Sequence, residues 1–500
     1  MKLRLALAVF VACAAAIASG CGGTTAKSGV SGEAGASLVR SGALAYLAVD
    51  SDLSSSQWGK VKDLLNKFPD HDKWIRQLKQ SLAQQDPPID YDRDLKDALG
   101  PEVDIAVVAA AHGQPAFAVL TKPDSMDKVR ELVKKENTRG SGHAVLREVD
   151  GWAVVGESNA AIDQVLKESG GQSLADDALF KDAVASLPTD SLAKAYVNGK
   201  QLNTLVEGLV GGTAQTAADA PNPLAPLGLD KLDWIGASVD SKDDGARFQA
   251  GVNGAGGGRL LNSGVPYAST LISGVPADAL AFLTFQGGSI HDQFLQLRNN
   301  PQFGPAFAQA EKAIGMSLGP VLALFGHEVA FYVRRGPGLP EFSLVLAEPD
   351  TQAALATIDR LANRVAEKAH THVYAELQGG LEVKSMGLSR VTVHWAGFDG
   401  RVLLTTSPTG IADYRAGGDK LADAAAYKEA LAAAGAPDKT SGLVYANVHD
   451  GLQLIENYAG AGGGKVPPGV EADLKPLRSF VMYSTANGDE AKATAFLEIR

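Results

Sequence analysis

The sequence predicts an α+β fold written twice in tandem: a mostly antiparallel sheet with helices packed on one face, then the same again. Three observations predict it. Seven short motifs recur in unchanged order at separations of about 226 to 250 residues, as an internal duplication requires. Strand-like runs are joined mostly by short turns, which favours antiparallel pairing. Amphipathic helical stretches fall between the strand pairs, as a layered α+β domain needs.

Each copy opens on a strand, Leu44-Ala45-Tyr46-Leu47 in the first and Leu280-Ala281-Phe282-Leu283 in the second. The approach to it aligns as Ala36-Ser37-Leu38-Val39-Arg40-Ser41-Gly42 against Ser269-Thr270-Leu271-Ile272-Ser273-Gly274. A helix follows the strand, with Trp58, Val61, Leu64, Leu65 and Phe68 at i, i+3, i+4 spacing. Pro69 stops it, and a second helix presents Trp74, Ile75, Leu78 and Leu82. The second copy breaks its helical segment likewise at Pro301, between Phe294/Leu297 and Phe303/Phe307/Ile314.

Leu99-Gly100-Pro101-Glu102-Val103 matches Phe325-Gly326-His327-Glu328-Val329 and leads into a strand pair, Val103–Val108 and Ala116–Leu120 in the first copy. Phe117-Ala118-Val119-Leu120 with Pro123-Asp124 matches Phe342-Ser343-Leu344-Val345 with Pro349-Asp350. Asp124 or Ser125 then caps a helix carrying Met126, Val129, Leu132 and Val133 on one face. Asp150-Gly151 and Asp399-Gly400 each sit between strand-like runs and predict tight hairpins. Leu174-Ala175-Asp176 with Phe180-Lys181-Asp182-Ala183 matches Leu421-Ala422-Asp423 with Tyr427-Lys428-Glu429-Ala430, and Tyr196-Val197-Asn198 matches Tyr445-Ala446-Asn447. Helices over 159–168, 180–187 and 200–209, a strand over 193–197, and two long strands around the 242–245 turn complete the first copy.

The chain before the first strand predicts location. Lys2 and Arg4 precede an apolar run, Leu3 to Ile17, and Ala18-Ser19-Gly20 leads into Cys21. That is a secretory signal ending in a lipobox, too short for a membrane span. The lipid, with palmitate-type acyl chains, is expected on Cys21, and at least two chains anchor stably. Residues 1–21 are therefore read as signal and 22–42 as a flexible Gly/Ser/Thr/Ala tether. Its reach is about 25 Å by the square-root rule for flexible linkers. The first repeat is assigned to 43–253, a Gly-rich connection and lead-in strand to 254–275, and the second repeat to 276–500.

Composition narrows the function classes. The net charge of −11, from 46 basic and 57 acidic residues, disfavours nucleic acid as a partner. Cys13 lies in the signal and Cys21 carries the lipid, so the mature body offers no thiol for disulfides, catalysis or zinc. His370-Thr371-His372 has metal-like spacing but lacks a third ligand in sequence, and reads as a loop. His327-Glu328 lacks the second histidine of a zinc-protease helix. Gly460-Ala461-Gly462-Gly463-Gly464-Lys465 fails as a phosphate loop, because Ala459 and Val466 break the spacing and Pro467-Pro468 forbids the following helix. A counterpart Gly/Ala/Pro loop occupies 211–227. In the Tyr196/Asn198 and Tyr445/Asn447 pairs, tyrosine is expected to fill the core and asparagine to cap the next helix. The aromatics Trp58, Phe68, Trp74, Phe294, Phe303 and Phe307 could line an apolar cavity or simply pack on the sheet.

Taken together, the lipobox, the 44–50 strand, Leu99-Gly100-Pro101, the Phe-x-Val-Leu…Pro-Asp step and the Leu-x-Asp…Phe-Lys-Asp-Ala segment resemble a family of bacterial exported proteins of unknown function. It is frequent in actinobacteria and cyanobacteria. The resemblance implies an envelope protein with no assigned activity, cofactor or catalytic residue. The expectation is thus a non-enzymatic envelope protein, exported and held to the cell membrane by Cys21, that binds a protein partner or serves as a scaffold. Two alternatives stay open: a carrier or sensor of an apolar small molecule held between helices and sheet, and a hydrolase with a triad assembled from remote residues.

Overall fold

The computed structural model describes residues 29–500 apart from 31, 85–90, 96–97, 110–114, 139–142, 212–228, 256–263, 289–294, 296–297, 300–303, 338, 390, 453 and 455–466. Cys21, most of the Gly-rich connection, Pro301 with its flanking Phe294, Leu297 and Phe303, the Gly460–Lys465 run and nearly all of 211–227 fall outside the described residues. The chain divides into two compact units. One runs to Gly257 and takes in Pro468–Pro476 and Ile499–Arg500; the other is Gly258–Pro467 with Leu477–Glu498.

The first unit carries β1 (Ala45–Asp50), β2 (Glu102–Val108), β3 (Ala116–Thr121), β4 (Val145–Val149), β5 (Trp152–Gly156), β6 (Ala193–Asn198), β7 (Leu232–Lys242) and β8 (Gly245–Gly254). Their spatial order is 4-5-3-2-1-6-7-8, and every pair is antiparallel. The helices are α1 (Ser56–Leu65), α2 (His71–Ala83), α3 (Met126–Asn137), α4 (Asn159–Val165), α5 (Ala178–Ala185) and α6 (Gly199–Gly211). Ser55, Ser125 and Ser158 cap α1, α3 and α4 by accepting a backbone N–H with the side chain.

The second unit repeats this topology with β9 (Ala281–Gln286), β10 (Glu328–Arg334), β11 (Glu341–Ala347), β12 (Val373–Gln378), β13 (Leu381–Leu388), β14 (Val391–Phe398), β15 (Arg401–Thr405), β16 (Gly442–Asn447), β17 (Leu477–Asn487) and β18 (Glu490–Ile499). The order from β12 to β17 is 12-13-14-15-11-10-9-16-17, again antiparallel throughout. Registers agree as well: Tyr46 pairs with Ala106 and Tyr196, as Phe282 pairs with Tyr332 and Tyr445. Asp150-Gly151 and Asp399-Gly400 close their hairpins with all four φ angles between 48° and 79°, the left-handed backbone that Asp-Gly supplies. Among the described residues the one added strand pair is the β12–β13 hairpin, turned at Gly379-Gly380.

The expectation of helices on a single face is not met. In the second unit, which opens its helices with α7 (Gly304–Ile314) and α8 (Gly319–Ala323), α9 (Thr351–Ala369) buries Ala354, Ile358, Ala362 and Ala366 against Met386, Trp395 and Val402. On the opposite face, α10 (Gly410–Arg415) and α11 (Ala425–Ala434) supply Ile411, Tyr414, Tyr427 and Ala430 to a core with Val383, Ala396 and Leu403. The first unit is built alike, with Val129 of α3 beside Ala153 on one side and Ile162 and Phe180 beside Val154 on the other. The physical reason is readable in β5 and β15. Ala153-Val154-Val155 and Val402-Leu403-Leu404 are apolar without alternation, as strands covered on both faces are.

The tether expectation also changes. Val30, Ala36, Leu38 and Val39 are buried, and the segment bridges Val30 to Ser191, Val39 to Leu166 and Arg40 to Ser173. Residues 29–42 are thus part of the first unit, held by burial of four apolar side chains that a solvated linker would leave in water. The lead-in before β9 corresponds to it, with Tyr267 bridging Thr440. Leu174 N–H donates to the Val39 carbonyl as Leu421 N–H does to Val275, and the Ser37 and Ser273 hydroxyls each donate to the carbonyl three residues back. The correct alignment therefore sets Ser37 on Ser273 and Val39 on Val275, and corrects the alignment read from the sequence.

Candidate functional site

Because two units share one scaffold, each serves as a control for the other. A side chain that both carry at an equivalent position is explained by the fold; one that only a single unit carries needs another reason. Two clusters stand out on that test.

The first is a cleft of about 540 Å³ in the second unit, whose walls include Gln378, Phe398, Arg401, Tyr414, Arg415 and Lys420. Helix α10 places Tyr414 beneath it. The Tyr414 hydroxyl donates to the Leu271 carbonyl at 2.7 Å, and its ring lies 6.4 Å from Tyr332 and 6.1 Å from Phe398. Gly274 has to be glycine, since a Cβ there would run into the Tyr414 ring. Burial pushes the Tyr414 hydroxyl well above its usual range, so the ring stays neutral.

Two guanidinium groups rest on this aromatic floor. The Arg401 guanidinium carbon is 5.9 Å from the centre of the Tyr414 ring, and that of Arg415 is 5.4 Å from Phe398, both within cation–π range. Among the described residues neither arginine has a carboxylate within ion-pair distance. Lys420 is committed elsewhere: its ammonium donates to the carbonyls of Gly274 at 3.1 Å and of Asp413 and Tyr414 at 3.2 Å. Burial lowers its pKa, and Arg334 adds to the lowering against Asp413. Arg334 itself is neutralised by Asp413 at 2.8 Å and Asp278 at 3.1 Å. The cleft, which Asp399 also lines, therefore presents two oriented guanidinium forks without an ion pair among the described residues, the geometry that suits a carboxylate or phosphate.

The first unit shows that the fold does not demand this. Val149 pairs with Trp152 where Phe398 pairs with Arg401. The buried triplet Ala161, Ile162, Val165 stands where the second unit has Gly410, Ile411, Tyr414. Trp152 and Leu166, the counterparts of Arg401 and Arg415, instead pack against the hydrophobic core.

The second cluster is buried in the first unit, under the lead-in. Asp104 is 0% exposed, and its carboxyl lies against the Tyr46 hydroxyl and Glu102 without a well-formed hydrogen bond among the described residues. Burial, then the neighbouring Glu102, pushes Asp104 well above the carboxylate range; burial raises Glu102 too. Lys194, its own pKa lowered by burial, pairs with Ala48 on β1, as Asp104 does from the other side. In the second unit Phe282, Ala330 and Leu443 occupy the places of Tyr46, Asp104 and Lys194. Only Glu102 has a like counterpart, Glu328, whose surroundings differ entirely. Glu328 accepts from the Ser269 hydroxyl at 2.5 Å, from Thr270 N–H at 3.0 Å and hydroxyl at 2.6 Å, from Leu271 N–H at 3.4 Å and from the Thr284 hydroxyl at 3.3 Å.

The residues singled out in the sequence are not brought together. Tyr196 and Tyr445 each meet an aromatic ring edge-on, Phe180 at 5.2 Å and Tyr427 at 5.0 Å, and Asn198 and Asn447 accept backbone N–H groups of Gln201 and Asp450. His370 is the left-handed C-cap of α9, and His372 and His327 are exposed. Among the described residues no three His, Cys, Asp or Glu side chains are grouped to hold a metal, and no helix is long and apolar enough to cross a membrane. Of the aromatics nominated for a cavity, Phe68 and Trp74 lie against one another at 5.5 Å, and Trp58 donates to the Asp50 carbonyl at 2.9 Å.

Known proteins place the chain without explaining it. A family described as Protein of unknown function (DUF3352) matches residues 128–498. The chain belongs to that family. The DUF3352 match spans the whole of the arginine cleft and, in the first unit, Lys194, but begins after Tyr46, Glu102 and Asp104. No curated protein matches. Among solved structures, crystal form IV of TP0453 matches at 11% identity, covering 46% of this chain and 93% of that one with a TM-score of 0.24. Crystal form III matches at 12%, covering 47% and 80%, also at 0.24.

Proposed function

We propose that this DUF3352 chain is a lipid-anchored binding module of the cell envelope that holds an anionic ligand in the cleft of its second unit. What carries the reading is the pair Arg401 and Arg415: two guanidinium groups that form no ion pair among the described residues, set over aromatic rings, in a scaffold whose other copy packs Trp152 and Leu166 at the same places. A guanidinium fork is a binding group for planar anions rather than a nucleophile or base, since arginine stays protonated. The proposed activity is therefore retention of a ligand, not its turnover.

Titration calorimetry with inorganic pyrophosphate and with glutarate tests it. Binding of at least one is expected at low ionic strength and should weaken as salt rises. Arg401→Leu and Arg415→Leu are each expected to weaken it about 10- to 100-fold, because a hydrogen bond to a charged group contributes about 1.5–3 kcal/mol. Absence of binding, or binding equally tight in the double variant, overturns the reading.

Anchoring rests on the lipobox before Cys21. Intact-mass analysis of protein from the membrane fraction is expected to show a cleaved chain beginning at residue 21 with the added mass of its acyl chains. Cys21→Ala should abolish that mass and leave the protein unprocessed. A wild-type chain recovered at its unmodified mass would remove the anchor.

A further inference from the structure

The β12–β13 hairpin that the first unit lacks creates a new sheet edge beside the cleft. Among the described residues β12 pairs with β13 alone, so its other edge presents backbone donors and acceptors without a ladder. Its sequence, Val373-Tyr374-Ala375-Glu376-Leu377-Gln378, contains no proline or lysine to blunt it. Leu377 is 75% and Tyr374 63% exposed. The corresponding edge of the first unit is guarded, with Arg147 of β4 paired to Asp163 and Glu148 to Arg130. The first unit's edge is thus guarded by two ion pairs, whereas the added strand carries a single charge position, Glu376, unpaired among the described residues and set amid exposed apolar side chains.

Side-chain alternation ties this edge to the cleft. Val373, Ala375 and Leu377 share the face of Met386 and Lys384, whereas Tyr374, Glu376 and Gln378 share the face of Val383, which lines the cleft with Gln378. A strand laid along β12 would turn every second side chain toward that same face.

We propose that β12 accepts an extended peptide by strand addition, with a carboxylate of the peptide held by Arg401 and Arg415. This names the ligand class for the cleft and rests on the anion-binding reading above. The ladder would supply affinity, and the arginine pair the selection for an acidic side chain or a chain terminus. A second copy of the chain fits less well. Antiparallel self-pairing must match residues of equal parity; centred on Glu376 it opposes two carboxylates, and centred on Ala375 it places Glu376 against Tyr374. Centred on Leu377 it sets Glu376 against Gln378 at the cleft, so sedimentation has to exclude that dimer.

The test is a selection of random heptapeptides with free C-termini on the full chain, counter-selected on Arg401→Leu/Arg415→Leu. Enriched peptides are then synthesised as the free acid, as the C-terminal amide, with Asp and Glu changed to Asn and Gln, and with alternate backbone nitrogens methylated. Fluorescence anisotropy is expected to show at least tenfold weaker binding when the critical carboxylate is removed. The form that fails distinguishes a side chain from a terminus. One of the two methylation registers should cost as much, because it removes the ladder, and the arginine variant should lose the acid preference.

If nothing is enriched while pyrophosphate still binds, strand addition is overturned and the cleft reading stands. If pyrophosphate fails as well, both fall. Enriched peptides indifferent to methylation in both registers, or a dimer in sedimentation that Leu377→Lys dissolves, also overturn the proposal.

Discussion

Glu328→Ala is expected to cost the second unit about 3 kcal/mol or more, read as a shift of its denaturation midpoint. The reason is the number of groups left behind. Five donors from Ser269, Thr270, Leu271 and Thr284 converge on this one carboxylate, which is buried. Truncation leaves the buried Leu271 N–H and Thr284 hydroxyl without water as a substitute partner, at about 1–3 kcal/mol for each that finds no new acceptor, while Ser269 and Thr270 can turn to solvent. The lead-in strand would lose its attachment at β10 and with it the Leu271 carbonyl that fixes Tyr414. Cleft affinity should therefore fall together with stability. Glu328→Gln keeps the shape and one good acceptor, and should cost less than half as much. A change below 1 kcal/mol for the alanine variant would contradict this account of the lead-in.

The equivalent half of the first unit predicts the opposite sign. Asp104→Asn is expected to stabilise it at pH 8, because the amide needs no proton there; the gain is about 1.4 kcal/mol for each unit by which the fold raises the carboxyl above its ordinary pKa. Asp104 faces Glu102 on its own strand, Tyr46 on β1 and Lys194 on β6. Its carboxyl is raised in the fold by burial and by Glu102, so the folded chain holds a proton that the unfolded chain releases at an ordinary carboxylate pKa. Stability from this group is complete below that ordinary value and declines as pH rises through the raised one. Asp50, pushed up to about 7 by burial, adds to the same decline. Wild type and Asp104→Asn should thus be alike near pH 4 and diverge upward. A parallel pH profile for the two proteins would mean that Asp104 carries no such proton.

Much of the scaffold was legible because its signals are local. Asp150-Gly151 and Asp399-Gly400 are turns by composition, Ser125 is a cap by position, and the repeated motifs fall at equivalent places in the two sheets. Face assignment failed where it depended on reading strands as alternating. Ala153-Val154-Val155 already carried the sign of a sheet covered twice. The β12–β13 hairpin has a turn signal, Gln378-Gly379-Gly380-Leu381 between β-prone runs, but no counterpart in the first copy to mark it as an element.

The clusters are no better marked. In the sequence Arg401 is one residue of an Asp-Gly motif and Asp104 one residue of a strand. Both are found by asking where aligned copies differ: Trp152 against Arg401, Leu166 against Arg415, Asp104 against Ala330. Exposure of an edge, and the absence of a carboxylate near a guanidinium, depend on residues distant in sequence. No local pattern encodes them.

The most direct measurement is magnetic resonance of the full chain labelled at arginine side-chain nitrogens, titrated with pyrophosphate and assigned by the single Arg401→Leu and Arg415→Leu variants. The account predicts that the Nε signals of these two arginines move together and saturate, while Arg334, already held by Asp278 and Asp413, stays in place. Signals of Arg401 and Arg415 that do not move, or that drift without saturating alongside surface arginines such as Arg130, would contradict it.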